Sequence, residues 1–136
     1  MLPESNTKWG VAICKDMDFT PLSRQYGQAG VGLMLVPGWD FVLDRVSHGH
    51  MAIMRGVESG FAMARAGRGG SLLVTDNRGR ILGETASNSV PFATLLVDVP
   101  AIHDSTIYLL FGDWFAYLDL GILAFTLVRL MASRVA

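Results

Sequence analysis

The sequence is poor in cysteine, in charge and in basic runs, and each shortage excludes a class of protein. Its single cysteine, Cys14, permits no disulfide within the chain. The net charge is −1 and the 11 lysines and arginines form no run, so no basic face is available to neutralise nucleic-acid phosphates. The first ten residues lack a basic region followed by an apolar stretch, and they predict no signal peptide.

The composition and the apolar patterns indicate a folded domain of mixed α/β class. Hydrophobic residues make up 51% of the 136 residues and charged residues 17%, which is enough apolar material for a core. Short apolar or β-rich runs predict strands, two of them joined as a hairpin by Asp76-Asn77-Arg78-Gly79. The predicted strands are 9–14, 31–36, 71–75, 80–84 and 93–99. Apolar spacings of three or four residues predict helices at 23–30 and 48–66.

The last part of the chain has a different composition. Residues 115–132 are mostly apolar, and only Asp119 and Arg129 are charged. As a helix this segment would be about 27 Å long, close to the thickness of a hydrocarbon core. Arg129 and Arg134 at its far end favour a cytoplasmic C-terminus. The alternative is an apolar helix that packs on its own domain or on a partner.

Cys14 is the residue best placed for covalent chemistry. It ends a predicted buried strand, and a charged turn with Pro21 follows, so the thiol is fixed by the sheet yet reachable. Backbone N–H groups of such a turn can stabilise an oxyanion, and Lys15 can lower the pKa of the thiol. Asp16 is near enough to act on protons. The alternative is an inert core cysteine.

Other polar and aromatic residues allow two interpretations each. His48 and His50 have no third ligand at a suitable spacing, so no metal site is predicted. Arg55 and Glu58 are three residues apart on a predicted helix, and they form either a solvated ion pair or a buried pair that shapes the pocket of the nucleophile. Trp39 follows a strand end, where it either lines a cleft or simply packs.

Four segments occur in an order that resembles the carbon–nitrogen hydrolase (nitrilase) superfamily. They are G-V-A-I-C-K-D-M-D-F, L-V-P-G-W-D-F, H-M-A-I-M-R-G-V-E-S-G-F-A-M-A-R-A and T-D-N-R-G-R-I-L. The ending S-T-I-Y-L-L-F-G-D-W-F-A-Y-L, followed by an apolar helix, resembles the apolipoprotein N-acyltransferase branch. The resemblance implies part of a four-layer α-β-β-α sandwich over residues 1–112 and a membrane-type helix over 113–136.

The resemblance also implies a chemistry. Superfamily members use a Glu–Lys–Cys triad without a cofactor, and the cysteine forms a thioester with an acyl donor before water or an amine accepts the acyl group. Cys14 matches the nucleophile, and Asp16 matches an acidic position two residues beyond it. Lys15 replaces an aromatic residue, and Trp39 falls near a tryptophan that flanks the pocket. The charged helix positions, which look structural in the family, are matched by Arg55, Glu58 and Arg65.

The largest departure from the family pattern concerns the other two triad members. They precede the cysteine by long segments in the family, whereas thirteen residues precede Cys14 here. Glu4, Lys8 and Lys15 lie in the wrong places to replace them. We therefore expect a C-terminal fragment that needs an N-terminal half for catalysis, in the inner membrane with its catalytic domain outside. The alternatives are a non-catalytic remnant or membrane-anchored interaction module, and a fragment of a soluble amidase.

Overall fold

One mixed sheet organises the part of the chain that the structure describes. The computed structural model describes residues 7–40, 45–88 and 90–135. Five strands pair in the order of the sequence, the first three parallel and the last three antiparallel. The strands are β1 (Lys8–Val11), β2 (Val31–Trp39), β3 (Ala62–Arg68), β4 (Ser71–Thr75) and β5 (Ile81–Ala86).

Helices connect the parallel strands and cover one face of the sheet. A 3-10 turn (Cys14–Asp18) and α1 (Thr20–Gln28) lie between β1 and β2, and α2 (Arg45–Ser59) lies between β2 and β3. α3 (Ile107–Phe111) and α4 (Trp114–Val135) follow the sheet. Apolar side chains of this covered face form the core, because burial removes them from water at about 1.5–3 kcal/mol for each large side chain. Its members are Ala12, Met17, Val31, Met34, Val36, Ala52, Phe61, Met63 and Leu73.

The parallel arrangement brings two strand ends together. Val11 is paired with Leu35, and the N–H of Ala12 donates to the carbonyl oxygen of Leu35 at 3.0 Å. The chain leaves β1 at this point and enters the turn that begins at Cys14, while β2 continues to Trp39. Cys14 and the end of β2 therefore share the carboxyl edge of the sheet, where α/β proteins form their clefts.

The predicted helix at 48–66 is wrong in its second half. α2 ends at Ser59, and Gly60 has φ +74°, a left-handed conformation that terminates helices and favours glycine. β3 begins at Ala62, directly after the buried Phe61, and Met63 and Arg65 of this strand are also buried. A short apolar run after a helix fits the two-residue period of a strand as well as the three- to four-residue period of a helix. Here the pairing with β2 and β4 decides in favour of the strand. Arg65 consequently lies on a strand and not on a helix.

The predicted strand at 93–99 does not join the sheet. Its residues alternate between half-buried and exposed, as in an extended chain, and Leu96 is fully exposed. The segment packs on β5 through side chains, since a Cβ on Gly83 would lie 2.7 Å from Cγ2 of Val97. Further along, the hydroxyl of Thr7 donates to the carbonyl oxygen of Ala101 at 3.1 Å. The segment thus carries the chain back towards β1.

α4 makes no packing contact that buries it. The helix is 22 residues long, and the apolar stretch Trp114–Ser133 has a mean hydropathy of 1.7 and is 0% buried. Among the described residues it is the one helix long and apolar enough to cross a membrane. The alternative of a tail packed on its own domain is not observed. The division of the chain at residues 112 and 113 stays a prediction.

Replacement of Gly60 should be the most damaging of three glycine substitutions. A Cβ at Gly60 would lie 1.7 Å from the carbonyl oxygen of Asp104, and φ is positive there. Gly60→Ala should lower the free energy of unfolding by about 2 kcal/mol or more. Gly30→Ala, with positive φ but open space, should cost about 1 kcal/mol, and Gly121→Ala in the open middle of α4 should cost nothing.

Thermal unfolding of the detergent-solubilised protein, followed by tryptophan fluorescence, ranks the three variants. Equal melting temperatures for Gly60→Ala and Gly121→Ala would contradict the close approach between Gly60 and Asp104.

Candidate functional site

Cys14 has a strained backbone. Its φ is +51°, and no other non-glycine residue in the described ranges has a positive φ. The left-handed conformation costs an L-residue about 1–2 kcal/mol, so surrounding contacts must hold it. Backbone outliers of this kind cluster at active sites, where strain fixes a reacting group in place. The strained backbone therefore identifies Cys14 as a candidate site residue independently of its sequence motif.

Asp16 holds the turn that begins at Cys14. Its carboxylate Oδ2 accepts a hydrogen bond from the N–H of Ile13 at 2.8 Å, and its own N–H donates to the carbonyl oxygen of Ile13 at 3.0 Å. Met17 is buried and anchors the turn in the core. Lys15, between Cys14 and Asp16 in the chain, is exposed. Asp16 thus holds the backbone around the thiol, and its proton-transfer role stays a prediction.

The end of β2 forms the wall beside the thiol. Sγ of Cys14, half-buried, donates a weak hydrogen bond to the carbonyl oxygen of Trp39 at 3.7 Å. Gly38 permits this approach, because a Cβ there would lie 3.2 Å from Cα and 3.5 Å from Sγ of Cys14. The indole of Trp39 is 58% exposed and packs at 4.6 Å on the guanidinium of Arg68. Trp39 therefore borders the site through its backbone and a neighbouring open cavity through its ring.

A buried ion pair, which sequence reasoning missed, fixes the end of β2. Asp40 follows Trp39 and is 2% exposed; Arg65 on β3 is 4% exposed. The guanidinium donates two hydrogen bonds to the carboxylate, Nη1 to Oδ2 at 2.7 Å and Nη2 to Oδ1 at 2.5 Å. Nδ1 of His48 lies 3.5 Å from Oδ1. Burial alone would raise the pKa of Asp40, but the hydrogen bonds and charge of Arg65, with His48, outweigh it and lower that pKa.

Glycines make the room that the Asp40 carboxylate occupies. A Cβ on Gly67 or Gly70 would lie 2.3 or 2.1 Å from Oδ2 of Asp40. The N–H of Asp40 also donates to the carbonyl oxygen of Arg68 at 2.8 Å. The end of β3 and its connection to β4 therefore cradle the carboxylate. Through Asp40, the position of Trp39 and its carbonyl is tied to β3, to the connection between β3 and β4, and to α2.

Arg55 and Glu58 form the predicted ion pair, at a distance from Nη1 to Oε2 of 2.7 Å. Their side chains are 15% and 23% exposed, so the pair is largely buried. Burial raises the pKa of Glu58, Arg55 opposes that rise and Asp113 adds to it. The carbonyl oxygen of Glu58 also accepts from the hydroxyl of Thr106. These contacts place the pair beneath the segment that leads to α4, and none of them reaches the turn at Cys14.

The described residues contain no group of three or more His, Cys, Asp or Glu side chains that could hold a metal ion. His48 instead approaches Asp40, and His50 lines a groove between α2 and β5.

The sequence is similar to a known enzyme. No family model matches the chain. It is 30% identical over 125 residues to the apolipoprotein N-acyltransferase of Gloeobacter violaceus, a match that covers 90% of this chain and 23% of that protein. The chain thus spans about a quarter of the length of this relative.

Solved structures of the nitrilase superfamily share the fold. An amidase from Nesterenkonia sp. AN1, captured with an acetamide moiety on its active-site cysteine, has a TM-score of 0.51 and 27% identity, over 56% of this chain and 32% of that one. A Saccharomyces cerevisiae superfamily member has a TM-score of 0.52 and 25% identity, over 57% and 33%. A carbon–nitrogen hydrolase from Helicobacter pylori, at 15% identity, matches in fold alone. The resemblance and the fold class predicted from the sequence are confirmed.

Gly38→Ala should slow the reaction of Cys14 with small electrophiles. The added methyl carbon would lie 3.2 Å from Cα of Cys14, a tight contact with its strained backbone, and misplacement of a reacting group costs about tenfold or more in rate. The rate of alkylation by iodoacetamide, followed by intact mass, measures this effect. Gly121→Ala is the matched control and should react at the wild-type rate. An unchanged rate for Gly38→Ala would show that the end of β2 does not confine the thiol.

Acidification should weaken the Asp40–Arg65 pair. The lowered pKa of Asp40 means that its stabilisation is complete above the ordinary value of 3.8 and is lost as pH falls through the folded-state value. Asp40→Asn leaves Arg65 buried without a counter-charge, so the free energy of unfolding at neutral pH should fall by about 3 kcal/mol and should depend less on pH below 4. Urea titrations at a series of pH values measure both effects.

Glu58→Gln supplies a comparison of opposite sign. The raised pKa of Glu58 means that its contribution is most favourable below the ordinary value of 4.5 and is lost as pH rises through the folded-state value. In Glu58→Gln, the free energy of unfolding should not show this decrease as pH rises, and the same urea titrations measure it. If the free energy of unfolding of Asp40→Asn depended on pH in the same way as that of the wild type, the role assigned to the Asp40–Arg65 pair would be refuted.

Proposed function

We propose that this chain, similar in fold and sequence to carbon–nitrogen hydrolase superfamily members, is the C-terminal part of a membrane-associated, thiol-dependent acyl-transfer enzyme. Cys14 takes the acyl group as a thioester and passes it to an amine, or to water. The observation that carries the proposal is the strained, half-buried thiol of Cys14 at the carboxyl edge of β1 and β2, held against the carbonyl of Trp39.

The chemistry requires a nucleophile, a base and a site for an oxyanion. The deprotonated Sγ attacks the acyl carbonyl carbon, an S–C bond forms, and the leaving group departs with a proton. An amine nitrogen or a water oxygen then attacks the thioester and releases the thiolate. The N–H of Asp16 is already donated within the turn, so the N–H groups at the very start of the turn are the candidates to bind the oxyanion. No electron is transferred, and no cofactor enters the proposal.

The remaining two members of a triad would come from segments outside this chain. Lys8 donates to the carbonyl oxygen of Ala29 at 2.7 Å and is occupied at the start of β1, away from the turn at Cys14. Lys15 is exposed on the turn, and Glu4 lies outside the described residues. Lys8 is therefore engaged elsewhere, and the proposal takes the base from outside this chain.

The sheet presents a second face on which such segments could pack. Trp9 and Val11 on β1 are 65% and 54% exposed. An open, mainly apolar cavity of about 480 Å³ lies over neighbouring strands, lined by Val11, Leu35, Pro37, Ala64, Ala66, Leu72, Val74 and Leu95 among others. Apolar faces of this kind need a covering layer in water. A second sheet on this face would complete a four-layer sandwich and bring the missing glutamate and lysine within reach of Cys14.

The similarity to an N-acyltransferase and the apolar helix α4 favour an amine acceptor and a membrane location. The charge bias supports an orientation with the Arg129 end of α4 in the cytoplasm and the catalytic domain on the outer side of an inner membrane. The amidases among the structural neighbours favour water as the alternative acceptor.

Thioester formation tests the proposal in the full-length protein that contains this chain. With a p-nitrophenyl acyl ester, the wild type should gain one acyl mass that hydroxylamine removes, and Cys14→Ala should gain none. Ser105→Ala, at an exposed position, is the control and should acylate normally. Addition of an amine should then discharge the thioester faster than buffer does.

The acylation experiment discriminates between the proposed functions. Absence of acylation in a folded wild-type protein would contradict the proposal and favour a non-catalytic membrane module. Acylation with discharge by water alone would retain the thiol chemistry and identify a hydrolase.

A further inference from the structure

α3 is fixed to the domain through one face. Thr106 begins the helix, since its hydroxyl oxygen accepts from the N–H of Leu109 at 3.0 Å and its O–H donates to the carbonyl oxygen of Glu58. Leu109 is 7% exposed and lies against α1, where a Cβ on Gly27 would be 2.7 Å from Cδ1 of Leu109. The inner face of α3 is therefore well packed for so short a helix.

The opposite face of α3 is apolar and uncovered. Ile107, Leu110 and Phe111 are 64%, 64% and 68% exposed. They follow the i, i+3, i+4 spacing of a helix face, and the sequence I-Y-L-L-F contains no charge. We call these three residues the α3 face. Contiguous exposed apolar side chains of this kind mark sites of contact with a partner or a membrane.

A side chain from α1 fixes the direction of the α3 face. The guanidinium of Arg24 donates to the carbonyl oxygen of Leu109 from Nε and Nη2, at 3.1 and 3.0 Å, and to that of Leu110 at 3.2 Å. These carbonyls end the helix and have no partner within it. Gly112, with φ +62°, then turns the chain beside the same guanidinium. The α3 face is thus held rigidly relative to the sheet.

The position of α3 in the chain indicates what covers its outer face. Phe111 and Trp114 are three residues apart, so their Cα atoms lie within about 11 Å of each other. Trp114 begins α4 and packs edge to face on Phe115, with the ring centroids 5.8 Å apart. Tryptophan at the end of a membrane span sits at the headgroup level. The α3 face consequently lies at or near the depth of that aromatic residue.

We propose that the α3 face binds the lipid interface and inserts its three side chains into the headgroup–acyl boundary beside the start of α4. The proposal rests on the membrane location given under the proposed function, and its occupant is phospholipid. An interfacial helix buries its apolar side chains a short way into this boundary. Two contacts, the span and the α3 face, fix both the height and the tilt of the domain, whereas the span alone would leave the domain free to swivel about Gly112.

Site-specific fluorescence tests this proposal in the full-length protein reconstituted into phosphatidylcholine and phosphatidylglycerol vesicles. A Cys14→Ser background is given one new cysteine at a time, by Leu110→Cys, Phe125→Cys or Leu96→Cys, and labelled with an NBD fluorophore. Nitroxide groups on the lipid headgroups and acyl chains quench the label by depth. Leu96 is the matched control, because it is fully exposed and belongs to the segment on β5, at the opposite edge of the sheet from β1.

Each pattern of quenching has a separate meaning. We expect the label at 125 to be quenched by acyl-chain nitroxide, the label at 110 to be quenched by headgroup nitroxide with blue-shifted emission, and the label at 96 to match free dye. A label at 110 that behaves like the label at 96, while 125 is quenched, would overturn the α3 proposal and leave the membrane location intact. Absence of quenching at 125 would refute the membrane location itself and the α3 proposal with it.

A second variant separates lipid binding from packing. Ile107→Ser/Phe111→Ser changes two exposed side chains and should leave thermal stability unchanged in detergent. In vesicles it should remove the blue shift at position 110. Retention of the blue shift would show that neighbouring protein, not lipid, shields this position.

Discussion

The buried pair of Asp40 and Arg65 is the interaction on which the geometry of the site depends. Two charges in the interior lose the solvation that water gives them, and only close hydrogen bonding restores it. That requirement admits one arrangement of the chain here, because the carboxylate must meet the guanidinium from β3 and fit against Gly67 and Gly70 at the same time. An apolar pair would tolerate sliding of one strand on its neighbour, and the bidentate pair does not.

The Asp40–Arg65 pair connects the register of β2 and β3 with the geometry around Cys14. If β2 shifted by one residue against β3, Asp40 would turn away from Arg65 and the carbonyl of Trp39 would leave the thiol. The site contacts of Cys14 are therefore consequences of sheet pairing, with Asp16 closing the turn locally and Gly38 leaving the necessary space. Catalytic residues on rigid strand ends gain their precision in this way.

Sequence reasoning predicted the parts whose signals are local. The hairpin at Asp76–Gly79, the apolar tail and the turn after the first strand all carry turn residues or composition that short windows reveal, although β1 ends at Val11 and not at Cys14 as predicted. β3 was missed because Phe61 and Met63 continue an apolar helix pattern, and only long-range pairing with β2 and β4 identifies the residues from Ala62 onwards as a strand. The role of Asp40 was missed for the same reason, since its partner is 25 positions away in the chain.

The left-handed conformation of Cys14 has a consequence for how the domain assembles. Residues 14 and 39 meet only after α1 has formed and a parallel strand has docked, and such non-local contacts form late in folding. Before they form, nothing compensates the steric cost at Cys14, and the residue relaxes to an ordinary extended or helical backbone. The conformation of Cys14 is thus shaped by the finished sheet, and the thiol of an immature chain lacks the conformation of the native site.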